Sequence, residues 1–160
     1  MSTHTATITW NRHNATFTDS RYSRAHTWQF DGGVTVPASS SPHVVPIPYS
    51  DASNVDPEEA FVAALSSCHM LGFLFLAAKQ GLIVDQYIDQ VAGTMGKNDT
   101  GREAVTSVTL SPHIVFSGDK TPQESDVDAL HHEAHELCFL ANSVKTIIEV
   151  RGSWAVPSGA

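Results

Sequence analysis

The feature that most constrains this chain is the run Phe61 to Ala78, 18 residues without a formal charge. A run of that length and apolarity touches the lower limit for a membrane span, or else it is a helix enclosed by protein. Its own residues favour enclosure. Ser66, Ser67, Cys68, His69 and Gly72 interrupt it, and Pro57, Glu58 and Glu59 stand just ahead of it. The expected element is a buried core helix. Asp56 suits the N-cap, Pro57 the first helical position, and Glu59, three residues past the cap, completes a capping box. The helix is expected to run to about Gln80 and to stop at Gly81. A chain of 160 residues has little to wrap around a helix apolar on every side, so packing against a second subunit is expected.

Around this helix the pattern is strands, helix, strands, helix, strand. Thr5 to Trp10 and Ala25 to Phe30 read as strands, the second ending at the turn Asp31-Gly32-Gly33 with Val34 to Val36 returning. Pro37 to Val55, rich in Pro, Ser and Asn, reads as an irregular connector. Strands are expected over Ile83 to Met95, broken near Asp85, and over Ala104 to Phe116 with an irregularity at Pro112, joined by a hairpin tip at Gly96 to Gly101. Thr121-Pro122-Gln123-Glu124 predicts a second capped helix continuing to about Leu140, and alternation over Val144 to Trp154 predicts a closing strand. The fold class is α+β, one domain over residues 1–160, with antiparallel sheets packed on helices.

Composition narrows the function. The formal net charge of -8 and the absence of any Lys/Arg cluster argue against a nucleic-acid partner. Met1 to Trp10 has neither the basic start nor the apolar core of a signal peptide, so a cytoplasmic location is expected. In that reducing compartment Cys68 and Cys138, the two cysteines, are not expected to form a purely structural disulfide. Metal binding, redox chemistry and inert burial stay open for them.

The chemistry-bearing residues fall into three groups. At about 100° per residue, Glu58, Phe61, Leu65, Cys68 and Gly72 lie within about 80° on one helix face, while Glu59 lies opposite and is left to the cap. Glu58 and Cys68 are nonetheless about 15 Å apart along the axis, so a shared site requires an intermediary or a second copy of the helix, which implies an intertwined dimer. A buried thiol ionises poorly without a nearby cation, and the candidates are Arg21 and Arg24, the latter directly before the second strand. Third, His131, His135 and Cys138 form a stripe at i, i+4 and i+7 of the second helix, to which His69 could add a ligand. The segment is no HExxH motif, because Glu136 stands at the place of its second His. A solvated stripe is the expectation for His131 and His132. His69 reads equally as a satisfied core histidine or as a pocket group beside Cys68.

Two segments resemble a known family. VDPEEAFVAALSSCHM is similar to the long-helix motif of the OsmC/Ohr thiol-dependent peroxidases, and ELCFLANSV to their second-cysteine segment, in the same order and over roughly Thr5 to Trp154. The resemblance implies an α+β fold in which two subunits interlock around paired long helices. It implies reduction of organic hydroperoxides in oxidative-stress defence, with Cys68 attacking, Cys138 resolving, and Glu58 bracing a catalytic arginine, Arg24. No cofactor is implied beyond an external dithiol, such as a dihydrolipoyl group or a lipoylated protein. His69 follows the cysteine where the family tends to have an aromatic, which marks a divergent OsmC-like branch. Two other functions stay in view: a non-catalytic binding protein for small hydrophobic ligands, and a structural zinc module using His131, His135 and Cys138.

Overall fold

The computed structural model describes residues 1–157, which form two compact units, residues 1–60 and 61–157. In the first unit, β1 (Ala6–Thr9), β2 (His26–Phe30) and β3 (Thr35–Ala38) make an antiparallel meander in that order. Ile8 and Val36 flank Trp28 in register. The β2–β3 turn relies on Gly33 at φ 88°, a left-handed conformation that a Cβ disfavours. β3 reaches two residues further than expected, through Pro37 to Ala38. The connector after it is irregular but tied back, since the Ser39 N–H donates to the Val55 carbonyl, the Val55 N–H donates to the Pro37 carbonyl, and the Asp51 N–H donates to the Ser39 hydroxyl.

α1 (Pro57–Lys79) starts where the sequence predicts, and its first turn belongs to the first unit. The Glu59 N–H donates to Asp56 Oδ1 at 2.8 Å, and the Glu59 carboxylate accepts the Asp56 N–H at 3.2 Å, so Glu59 closes the expected reciprocal cap.

The second unit carries the rest of α1, then β4 (Ile83–Asp89), β5 (Ala92–Lys97), β6 (Glu103–Leu110), β7 (Pro112–Ser117), α2 (Glu124–Leu137), β8 (Ile147–Val150) and β9 (Ser153–Ala155). They form two three-stranded sheets, β4-β7-β9 and β5-β6-β8. In each, the first two strands are antiparallel and the last is parallel to its neighbour. The sheets are therefore mixed rather than antiparallel throughout. The irregularity near Asp85 is a β-bulge and does not break the strand, which ends only at Asp89. α2 is capped by Gln123 and Asp126 rather than by Thr121 and Glu124, the Gln123 N–H donating to the Asp126 carboxylate at 2.8 Å. It stops at Leu137 instead of Leu140, because Cys138 turns extended at φ -70°, ψ 108°. The closing strand is split at Arg151 and Gly152.

The larger core joins Phe73, Leu76 and Ala77 of α1 to Ile114 and Phe116 of β7 and to Val127, Leu130 and Ala134 of α2. A smaller one packs Leu65 on Val108 and Leu110 of β6. Each fully buried Phe, Leu or Ile stabilises by about 1.5–3 kcal/mol, which makes the Leu65 to Ala77 stretch the principal anchor of this unit. Burial of α1 is one-sided. Leu71 is 61% and Phe75 60% exposed, so one chain alone does not enclose a helix that is long and apolar enough to cross a membrane.

Candidate active site

The second unit brings the two thiols together. α1 and α2 approach so closely at Gly72 that a Cβ there would lie 3.5 Å from the Ala134 carbonyl oxygen. Cys68, one turn before Gly72, and Cys138, one turn after Ala134, meet at this crossing with both thiols free. Cys138 is buried and Cys68 half-buried. Burial pushes the Cys138 thiol up, the adjacent Cys68 thiol adds to this, and backbone N–H groups of Ala141 and Leu140 pull the other way. The Ala141 N–H donates to Cys138 Sγ at 3.3 Å.

Beside the thiols lies a second pair. His69 Nε2 and His131 Nδ1 are 3.0 Å apart, with rings 12° from parallel, and the Phe73 ring is centred 4.6 Å from that of His131. His69 is 2% and His131 9% exposed, so the expected solvated stripe holds for His132 and fails for His131, which faces the core. Burial, with His131 and His135 nearby, lowers the His69 pKa to about 4. Burial also lowers that of His131, against the opposing carboxylates of Asp128 and Asp89. The Asp89 carboxylate itself accepts the Ser66 hydroxyl and the Ser111 N–H. Next to it the buried Tyr87 phenol has no hydrogen-bond partner, and burial and Asp89 together raise it well above its ordinary value.

The zinc stripe does not assemble. His131 points to His69 and Cys138 to Cys68, and among the described residues no three His, Cys, Asp or Glu side chains stand together as ligands.

In the first unit, Arg24 and Glu58 line one cavity of about 480 Å³, whose remaining wall is largely Ile8, Trp10, Phe17 and Tyr22. Phe17 stacks on Tyr22 with centroids 4.7 Å apart, and Trp10 meets both edge-on or tilted. The Arg24 guanidinium donates to the carbonyls of Ser20 and Tyr22 and stands 3.9 Å over the Tyr22 ring. Glu58 Oε2 is buried without a partner. The arginine is thus held by its own loop and not by the carboxylate that the resemblance assigned to it. Arg21 is exposed.

A family model described as OsmC-like protein matches residues 50–152, which includes both cysteines, both buried histidines and Glu58. The chain belongs to this family. A solved OsmC-like protein of unknown function from Vibrio cholerae O1 is 56% identical, with 95% of this chain and 99% of that one covered at a TM-score of 0.93. An organic hydroperoxide resistance protein from Elizabethkingia anophelis is 16% identical, covers 98% of this chain and 97% of its own, and has a TM-score of 0.67. OhrB of Bacillus subtilis, also an organic hydroperoxide resistance protein, is 18% identical over 96% and 98% at 0.57. At those identities the last two share the fold. No curated protein matches this OsmC-like chain.

Sequence reasoning did not foresee the burial of His131 against His69, and it gave no role to Asp89, Ser66 or Tyr87. For the histidines a signal existed, because His69 falls in the buried i, i+4 series Leu65, His69, Phe73, and a polar residue enclosed there needs a partner from elsewhere. Leu130, His131 and Ala134 form the matching inward face of α2. Nothing local marks Asp89, whose partners lie 23 and 22 residues away in the chain.

Proposed function

We propose that this OsmC-like protein is a cysteine-based peroxidase that reduces organic hydroperoxides in oxidative-stress defence. The observation that supports it is the meeting of Cys68 and Cys138, 70 positions apart in sequence, as free thiols at one helix crossing. In this scheme the Cys68 thiolate attacks a peroxide oxygen. An S–O bond forms as O–O breaks, sulfur is oxidised, and the alkoxide takes up a proton and leaves as the alcohol. Cys138 then displaces the Cys68 sulfenic hydroxyl, forming the S–S bond and releasing water with its own thiol proton. A dithiol, free or as the dihydrolipoyl group of a protein, returns both cysteines to thiols and is itself oxidised to a disulfide. The raised Cys138 thiol suits a second attacker that stays protonated until Cys68 has reacted. Arg24 would favour the Cys68 thiolate, with Glu58 as its brace once substrate displaces the Tyr22 contact. No cofactor or metal enters the scheme.

The same reading includes a homodimer, which the exposed Leu71 and Phe75 of α1 and the helical distance from Glu58 to Cys68 both favour. The compartment it fits is the cytoplasm, where dithiol reductants are available. Mixing reduced protein with an alkyl hydroperoxide should consume both thiols of each chain, and Cys68→Ser should abolish the loss. Thiols that stay intact under excess peroxide would reject the proposal.

A second reading rests on the aromatic cavity of the first unit, which suits a small hydrophobic ligand bound without chemistry. It predicts ligand-dependent thermal stabilisation that survives Cys68→Ser.

A further inference from the structure

His69 and His131 have no role in that scheme, yet both are titratable side chains buried at the α1–α2 crossing. Apolar residues could fill the same space next to Phe73 without leaving ring nitrogens unsatisfied. Here two are left: His69 Nδ1 and His131 Nε2 are both buried and unpartnered, one at each end of the Nε2···Nδ1 contact.

Chemistry follows from that arrangement. Two neutral imidazoles in series share one proton between the inner nitrogens, so one outer nitrogen bears a hydrogen and the other a lone pair. A proton arriving at the bare end shifts the shared proton and expels the hydrogen at the far end. The pair passes a proton without ever holding a lasting buried charge.

At one end, His69 follows Cys68 directly on α1, and its outer Nδ1 is enclosed with no hydrogen-bond partner. At the other end, His131 lines a polar cavity of about 300 Å³ at the β8–β9 turn, shared with Glu124, Asp128 and Arg151. Gly152 caps His131 Nε2 there, and a Cβ at that position would lie 3.1 Å from the nitrogen and 3.3 Å from Pro112. The absence of a side chain keeps that end uncrowded.

We propose that His69 and His131 form a proton relay between the Cys68 side of the helix crossing and the polar cavity at the β8–β9 turn. This rests on the peroxidase proposal for its use. Ionising Cys68 sends a proton out, and the alkoxide leaving after O–O cleavage needs one back, so the two half-passages reset the pair without a ring flip. Asp128 and Asp89 favour a proton on His131, while His135 opposes one on His69. The Tyr87 phenol, raised by burial and by Asp89, keeps its own proton.

The test uses the full chain in two arms. In protein labelled with ¹⁵N-histidine, the pair should show coupling between His69 Nε2 and His131 Nδ1. Its outer ring proton should exchange with water faster than the surrounding α1 amides. Gly152→Ala, which sets a methyl against Nε2, should slow that exchange; exchange insensitive to this substitution overturns the relay. In the second arm, thiol loss driven by an alkyl hydroperoxide is followed in H₂O and D₂O. His69→Gln and His131→Asn each keep an amide at the shared contact but cannot pass a proton. Each should slow the reaction about tenfold or more and regain rate as imidazole buffer is added. Unchanged rates, or slow rates that buffer does not restore, overturn the relay. If the wild type consumes no thiols, the peroxidase proposal fails, and the exchange arm still decides the relay.

Discussion

At the crossing of α1 and α2, every reactive group is positioned by residues that the core needs anyway. Gly72 and Ala134 set the helix separation, Phe73 packs on His131, and the two thiols and two imidazoles meet as a consequence. The cavity of the first unit is built differently. Its charged groups sit among aromatics, with Arg24 satisfied by the carbonyls of its own loop and a Glu58 oxygen facing nothing. The contrast separates groups fixed by the packing of a core from a charge held by its own loop. Thiol geometry is part of the folded core, whereas the arginine rests on the Ser20 and Tyr22 carbonyls and the Tyr22 ring.

The sharpest way to break this contrast is at the thiols. Cys68→Ser should reduce peroxide-driven thiol loss to background, while Cys138→Ser should lose one thiol per chain and leave a sulfenic acid open to dimedone labelling. Equal loss in both variants would mean that neither thiol leads. Next in size, Arg24→Met should slow the first oxidation about a hundredfold, as for removal of a preorganised charge donor, and Arg21→Met should leave it nearly unchanged. If Arg24→Met has no effect, the first-unit cavity plays no part in the chemistry.

Acid tests the core half alone. The His69 pKa falls from 6.5 to about 4 on folding, so between those values the unfolded chain binds more protons than the folded one. Stability should therefore be constant above about pH 6.5 in this term and fall as pH drops towards about 4, by on the order of 2–3 kcal/mol in all. His131, shifted in the same direction, adds to the fall. Chemical denaturation from pH 7 to pH 4 measures it, and His69→Gln should flatten the slope. The smallest effects belong to the crossing itself. Gly72→Ala should be close to neutral, since its Cβ meets Ala134 atoms at ordinary contact distances of 3.5 to 3.6 Å. Gly72→Leu should cost about 1–3 kcal/mol by overpacking and should slow disulfide formation in step.

Legibility in the sequence followed the range of the interaction. The Asp56–Glu59 cap, the start of α1 and the Gly33 turn are settled within a few residues, and the structure has them where the sequence places them. The early end of α2 was not legible, because Leu137 to Leu140 reads as apolar helix until Cys138 turns against Cys68. His131 misled for the same reason. On α2 it belongs to a polar stripe with His132 and His135, and only a second histidine 62 positions away in the chain makes its burial tolerable.

By itself, the amino-acid order determined the long apolar helix with its cap, the α+β class and the two cysteine segments that mark the OsmC-like family, since each is written in local spacing and composition. Tertiary structure alone decided that His69 finds His131, that Asp89 gathers Ser66 and Ser111, and that Arg24 rests on Tyr22 while Glu58 stays unpaired. A buried polar group is tolerable only beside a specific partner, and nothing in a local stretch of chain says which distant residue packing will bring there.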